Sequence, residues 1–265
     1  MVNGAGASSA GFDLTGVRFS VPGRDILQPL DLTLEPGRVH GLIGPNGSGK
    51  STLVKLLARQ LTPDGGRIVF AGRALGDWHD RDFARHVAYM PQFTPGADGM
   101  NVRELVALGR FPWHGTLGRF SETDARKVEA ALEWTGMISL ADRQVDTLSG
   151  GERQRAWFAL MLAQDTKCIL LDEPTSALDI AHEGQMLELV RTISRERGVT
   201  VIVVLHDINI AARTCDDIVA LREGRLVAQG RAEEVMTPDV LGRIYGVPMG
   251  VLPHPTRGEP MGYVL

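Results

Sequence analysis

Gly44-Pro45-Asn46-Gly47-Ser48-Gly49-Lys50-Ser51-Thr52 is the stretch on which the fold turns. It fits the pattern G-x-x-x-x-G-K-[ST], in which glycines let the backbone curl so that successive N–H groups converge on phosphate oxygens. Val39–Ile43 before it is a short apolar run with strand character. Behind it, Ser51–Gln60 carries Leu53, Leu56 and Leu57 at the i, i+3, i+4 spacing of a buried helix face. Strand, loop and helix in that order put the glycines at a helix N-terminus, where the dipole favours an anion. Lys50 adds a point charge worth roughly 5 kcal/mol against one phosphate charge at ~3 Å and an effective dielectric near 20. The Ser51 hydroxyl can ligate Mg²⁺. The stretch predicts a binding site for MgATP.

Outward from the loop, short β-like segments and turns alternate over residues 12–40, with strands expected at Asp13–Ser20 and Ile26–Leu34. Thr62-Pro63-Asp64-Gly65-Gly66 stops the first helix. Arg67–Phe70 and Val87–Met90 read as further strands. From Gln92 to about Asp146 the character changes to helical. Asn101 with Glu104 forms a capping-box pattern, and Ser121 with Asp124 starts a second helix that runs to about Thr135. After Leu148 helices and strands alternate again: helix 152–164, strand 168–171, helix 182–197, strand 199–205, helix 208–213, strand 217–221. That rhythm predicts an α/β fold of P-loop NTPase type with a mainly parallel sheet covered on both faces. An antiparallel β subdomain is expected at the N-terminal end. One domain is expected over 11–265, with its β and α/β core at 11–92 and 149–245 and a helical subdomain inserted at 93–148. Residues 246–265 read as a tail and 1–10 as a disordered leader without signal-peptide character.

Two more apolar runs end in chemistry-bearing residues. Cys168-Ile169-Leu170-Leu171 runs into Asp172 and Glu173. A buried parallel strand accounts for the apolar residues but not for two acids at its carboxyl end, where ligands of open α/β sheets sit. Asp172 is placed to hold Mg²⁺ through water, and Glu173 to orient and deprotonate an attacking water. Val201–Leu205 ends at His206, in position to touch the γ-phosphate. Leu148-Ser149-Gly150-Gly151-Glu152 is a third signal. Ser149 and Glu152 form a capping box, which makes this helix start a second anion-ready terminus. Two such termini on one chain suggest a head-to-tail dimer in which each copy supplies half of each ATP site.

Composition bounds the alternatives. The 28 basic and 32 acidic residues give a net charge of −4, without the basic excess of a nucleic-acid footprint, so no nucleic-acid partner is expected. No apolar run approaches the ~18 residues of a membrane span. The two cysteines, Cys168 and Cys215, form no metal or redox pair, and Cys168 reads as a small buried hydrophobe.

The order of phosphate loop, Gln92, LSGGE, LLDEP, SALD and His206 resembles the ATP-binding cassette (ABC) ATPases over nearly the whole chain. The resemblance implies that Gln92 links Mg²⁺ to the helical subdomain and belongs with Glu173 and His206 in catalysis. It implies that Ser149, Gly150 and Gly151 contact ATP on the opposite copy, and that Asp179 communicates across the dimer. In one respect the chain departs from the family. Val21 stands where an aromatic usually stacks on adenine, and Phe19 is the nearest alternative.

Glu104–His114, Leu205-His206-Asp207-Ile208-Asn209 and Tyr245-Gly246-Val247-Pro248 resemble the ATPases of iron-siderophore, haem and vitamin B12 importers. Trp113-His114-Gly115, Leu117-Gly118-Arg119-Phe120 and Leu252-Pro253-His254-Pro255 point within that group to ferric-hydroxamate uptake. The resemblance implies an integral membrane permease as partner, a substrate-binding protein acting indirectly, and a place on the cytoplasmic face of the bacterial inner membrane. The competing expectations are a haem or vitamin B12 importer and a soluble ATPase of iron–sulfur assembly.

Overall fold

The computed structural model describes residues 10–97, 99–115, 118–176 and 178–265. The expected leader up to residue 9, together with Asp98, Leu117 and Ala177 of the sequence motifs, lies outside them. In chain order the first elements are β1 (Phe12–Val21), β2 (Arg24–Leu34), β3 (Val39–Ile43), α1 (Lys50–Leu57), β4 (Gly65–Phe70), β5 (Arg73–Ala74), α2 (Asp80–Ala84) and β6 (Val87–Met90). The middle of the chain forms α3 (Val102–Ala107), α4 (Phe111–His114) and α5 (Glu122–Trp134). Then follow α6 (Gly150–Ala163), β7 (Cys168–Leu171), α7 (Ile180–Arg197), β8 (Thr200–Val204), α8 (Ile208–Thr214), β9 (Asp217–Arg222), β10 (Arg225–Gly230), α9 (Ala232–Val235), α10 (Pro238–Tyr245), β11 (Met249–Pro253) and β12 (Pro260–Val264).

The central sheet has six strands in the order β10-β9-β3-β8-β7-β6, parallel except for the β9–β10 hairpin. Every residue of β3, β7 and β8 is buried, which explains why these strands read as unbroken apolar runs. Successive side chains still alternate between the two faces. Val201 and Val203 join the cluster formed with α6, α7 and α8. Ile202 and Val204 join the cluster on the opposite face, formed with α1 and the antiparallel sheet β2-β1-β4-β5. In that second sheet Phe12, Leu14 and Val17 point inward from β1 and Leu30, Leu32 and Leu34 from β2. The chain is therefore an α/β protein with a mainly parallel core sheet and an antiparallel N-terminal sheet.

The helical stretch is not a separate core. Val102, Leu105, Val106, Val128 and Leu132 belong to the same buried cluster as Ile169 and Val203 of the sheet. Capping boxes are formed at Asn101/Glu104, Ser121/Asp124 and Ser149/Glu152. The helix capped at Asn101 ends at Ala107. Gly109 then passes close to α6, where a Cβ on it would lie 2.2 Å from the Leu160 carbonyl oxygen. A 3-10 turn over Leu108–Arg110 leads on into α4. Residues 246–265 are not a loose tail: β11 and β12 pair in register, and Asn209 of α8 clamps Gly262 by two hydrogen bonds. No helix among the described residues is long and apolar enough to cross a membrane.

Candidate functional site

Because β3, β6, β7 and β8 run parallel, their carboxyl ends come out together along one edge of the sheet. The phosphate loop follows β3, Gln92 follows β6, Asp172 and Glu173 follow β7, and His206 follows β8. The topology thus assembles residues separated by up to 160 positions.

The loop itself is braced from behind. Gly44 sits at φ +141°, and a Cβ on it would lie 2.0 Å from the Leu221 carbonyl oxygen, so no other residue fits. Gly224, in the β9–β10 turn, donates its N–H to the Ser48 carbonyl and accepts from the Gln28 N–H through its own. The turn therefore ties β2 to the loop. A cavity of about 230 Å³ lies over the loop, lined by Arg24, Ile26, the segment 46–52 and Glu173. Lys50 is buried and its Nζ donates to the carbonyls of Gly44 (2.8 Å) and Pro45 (3.1 Å). Burial lowers its pKa, opposed by the nearby Glu173 and Asp172 carboxylates.

Ser51 Oγ donates to Asp172 Oδ1 at 2.7 Å. Burial raises the Asp172 pKa, and the Ser51 hydrogen bond works against that rise. This hydroxyl–carboxylate pair is an all-oxygen donor set suited to a hard cation. The described residues contain no cluster of three or more His, Cys, Asp or Glu side chains that could hold a metal alone. Such a pair fits Mg²⁺, which is held by one or two protein oxygens together with substrate phosphates.

One oxygen joins the remaining candidates. Glu173 Oε2 accepts from Gln92 Nε2 at 2.5 Å and lies 2.8 Å from His206 Nε2. Glu173 also has φ +55°, a left-handed conformation that costs an L-residue roughly 1–2 kcal/mol. Strain of this kind collects where a side chain has to be aimed.

The other sequence candidates form a second group. Ser149 caps α6, and its N–H and hydroxyl both donate to the Glu152 carboxylate. These hydrogen bonds lower the Glu152 pKa. A Cβ on Gly151 would stand 3.4 Å from Leu178 and 3.6 Å from the His182 ring. Asp179 caps α7 by accepting from the His182 N–H and lies 2.7 Å from its Nδ1. Gly151 and Asp179 therefore both lie beside His182, and neither they nor Ser149 and Gly150 line the cavity at the phosphate loop. Arg24, Ile26, Gly224 and His182 were not found from the sequence. Only Arg24 carried a signal, directly after the Pro22-Gly23 pair beside the Val21 anomaly.

The ABC transporter family model matches residues 27–176. The chain is 40% identical over 238 residues to the iron(3+)-hydroxamate import ATP-binding protein FhuC of Bacillus subtilis, covering 90% of this chain and 88% of that protein. It is 43% identical over 242 residues to the hemin import ATP-binding protein HmuV of Pseudomonas putida, covering 89% and 93%. Among solved structures, the dimeric bacterial ABC transporter cassette MJ0796 superposes with a TM-score of 0.74 at 26% identity, covering 83% of this chain and 98% of that one.

Proposed function

We propose, for a chain that belongs to the ABC transporter family of ATP-binding domains, that it hydrolyses ATP to drive import of an iron(III) siderophore of hydroxamate type. The observation that carries the catalytic half of this reading is the meeting of Gln92 and His206 on one oxygen of Glu173 beside the phosphate loop.

In this reading segment 44–52 holds the triphosphate through backbone N–H groups and Lys50. Ser51, Asp172 and Gln92, at the start of the helical segment, would hold Mg²⁺, which would supply neutralisation of phosphate charge. Glu173 accepts the proton of the attacking water. His206 orients that carboxylate and contacts the γ-phosphate. Ser149, Gly150, Gly151 and Asp179 face away from their own chain's loop and complete the site of a second copy. The separation of these four residues from the loop cavity supports that assignment, as does the dimeric cassette among the similar structures. Ser149→Arg tests it: ATP binding to dilute protein persists while hydrolysis stops. Loss of ATP binding in the monomer would place the motif in cis.

A membrane permease is the expected partner of an import ATPase, and the protein then sits peripherally at the cytoplasmic face of the inner membrane. A groove of about 700 Å³ fits a short permease helix. Its floor holds Asp82, Arg85, His86 and Asp165, and Trp113 forms one wall. Exposed Phe111 stands beside Trp113 on α4. The two relatives named above import different iron chelates at nearly the same identity, so the cargo rests on the Trp113–Phe120 and Leu252–Pro255 segments. Growth of a deletion strain on single iron sources tests it. Failure on ferric hydroxamates with normal growth on haem supports the reading; the opposite pattern makes this a haem importer.

A further inference from the structure

We infer that Arg24 is a second cation of the triphosphate site, standing beside Gly47 of the phosphate loop in the cavity that Lys50 also lines. The inference rests on segment 44–52 being the phosphate site.

Arg24 is held in place by its neighbours. Pro22 and Gly23 make the two-residue turn between β1 and β2, with Gly23 at φ +79° and Val21 paired to Arg24 across the hairpin. Leu27, three residues further, is buried beneath the loop, where a Cβ on Gly49 would stand 2.5 Å from its Cδ2. Gln28 donates its N–H to Gly224, which in turn donates to Ser48. The backbone carrying Arg24 is thus fixed to the loop at two points.

From that base the side chain reaches the loop. A Cβ on Gly47 would lie 3.6 Å from Arg24 Nη2. Arg24 lines the same cavity as Lys50 and Glu173, and also the adjoining one beside Arg222 and Tyr245. Among the described residues no acid forms a hydrogen bond or ion pair with the guanidinium, and Glu223, which shares the adjoining cavity, pairs with Arg222. Its neighbour Asp25 accepts instead from Ser20 Oγ at 2.8 Å and Gln28 Nε2 at 3.5 Å. Among the described residues no ion pair includes Arg24. A planar five-donor group with no partner among the described residues, beside Gly47 in the cavity of the phosphate loop, matches a phosphate oxygen in geometry and charge.

The base end offers less. Val21 is 42% exposed and has no π-face, and Phe19 is partly buried, packed against the core cluster of the antiparallel sheet. Affinity then resides mainly in the phosphates, where a second cation matters most.

The test is equilibrium binding of ATP, ADP and AMP to the full chain and to Arg24→Met, Arg24→Lys, Arg24→Glu and Lys50→Ala. Arg24→Met keeps the bulk and removes the charge. It is expected to weaken ATP binding about tenfold, a change of ~1.4 kcal/mol. ADP should suffer less and AMP hardly at all. Arg24→Lys should stay within threefold of the parent, and Arg24→Glu should fall below Arg24→Met. ATP affinity of Arg24→Met within twofold of the parent would overturn the inference, and so would an equal loss for ATP and AMP. If Lys50→Ala binds ATP normally, the reading of segment 44–52 itself fails, whatever Arg24 does.

Discussion

His206 Nε2 lies 2.8 Å from Glu173 Oε2, although the two residues end different strands of the sheet. Gln92 donates to the same oxygen, so one carboxylate oxygen is held by two side chains, and Glu173 also lines the phosphate loop's cavity. An amide at this position keeps the size and loses the basicity. Glu173→Gln is therefore expected to bind ATP normally and to hydrolyse it at least ~10²–10⁴-fold more slowly, the usual cost of losing a general base. Gel filtration with ATP should then show an accumulating dimer. Near-normal turnover of purified Glu173→Gln would remove Glu173 from the role of base.

The backbone at Glu173 makes a separate prediction. Glu173→Ala and Glu173→Gly lose the same side-chain contacts, but only glycine adopts φ +55° without strain. Glu173→Gly should be more stable than Glu173→Ala by about 1 kcal/mol. That corresponds to ~2–4 °C in melting temperature for a protein of this size. Equal melting temperatures would show that the strain is not stored in the folded state.

Much of this site was legible because its residues occupy strand ends, and strand ends are marked by local sequence. An apolar run that stops at Asp172-Glu173 or at His206 announces both strand and function within six residues. The parallel pairing then brings those ends together without further information. Arg24 and His182 were missed for the opposite reason. Each acts through one long-range approach, Arg24 to Gly47 and His182 to Gly151, which no periodicity records. The hairpin of β11 and β12 escaped notice because its holding contact, Asn209 to Gly262, spans 53 positions. The strain at Glu173 was equally hidden, since nothing in an acid before a proline signals a left-handed backbone.

Asp124 predicts how the protein responds to acid. It is buried against Arg110, whose Nε donates to Oδ1 at 2.8 Å and whose Nη1 donates to the Ala163 carbonyl. Burial pushes the carboxyl upward, but hydrogen bonds from Ser121 and Arg110 outweigh it and hold its pKa at about 2. A depressed pKa contributes stability that is complete above the unfolded value near 4 and is lost as pH falls through about 2. From that shift the contribution is about 2 kcal/mol. Asp124→Asn leaves the buried Arg110 unpaired and should cost ~3–5 kcal/mol near neutral pH. The gap between parent and variant should narrow between pH 4 and pH 2 in urea titrations. A gap independent of pH would mean that the loss is one of shape, not charge.

The proposed permease groove sets the last expectation, and the packing of Trp113, which lines it, and of Phe111, nearby on α4, decides how to test it. Trp113 is not free to serve docking alone. Its Nε1 donates to the Gln164 carbonyl at 2.8 Å, and the guanidinium groups of Arg85 and Arg110 lie 5.3 Å and 5.0 Å from its ring centroid. Arg81 of α2 and Arg85, which follows α2, also donate to the carbonyls of Pro112 and Trp113, binding α4 to the core. Removing the indole therefore forfeits two cation–π contacts of ~0.5–2 kcal/mol each, and Trp113→Ala should melt lower even without a partner. Phe111 is half exposed, and its one ring–ring contact among the described residues is with His114, edge-on at 6.3 Å. Phe111→Ala should melt within about 3 °C of the parent and keep basal ATPase activity. An aromatic anchor seated in a desolvated groove commonly carries 2 kcal/mol or more of an interface, about thirtyfold in affinity. Co-purification with the permease in detergent should accordingly fail for Phe111→Ala and for Trp113→Ala, with siderophore uptake lost in both. Permease binding retained by Phe111→Ala and by the folded fraction of Trp113→Ala would show that this face of α4 stabilises the chain and does not dock the membrane partner.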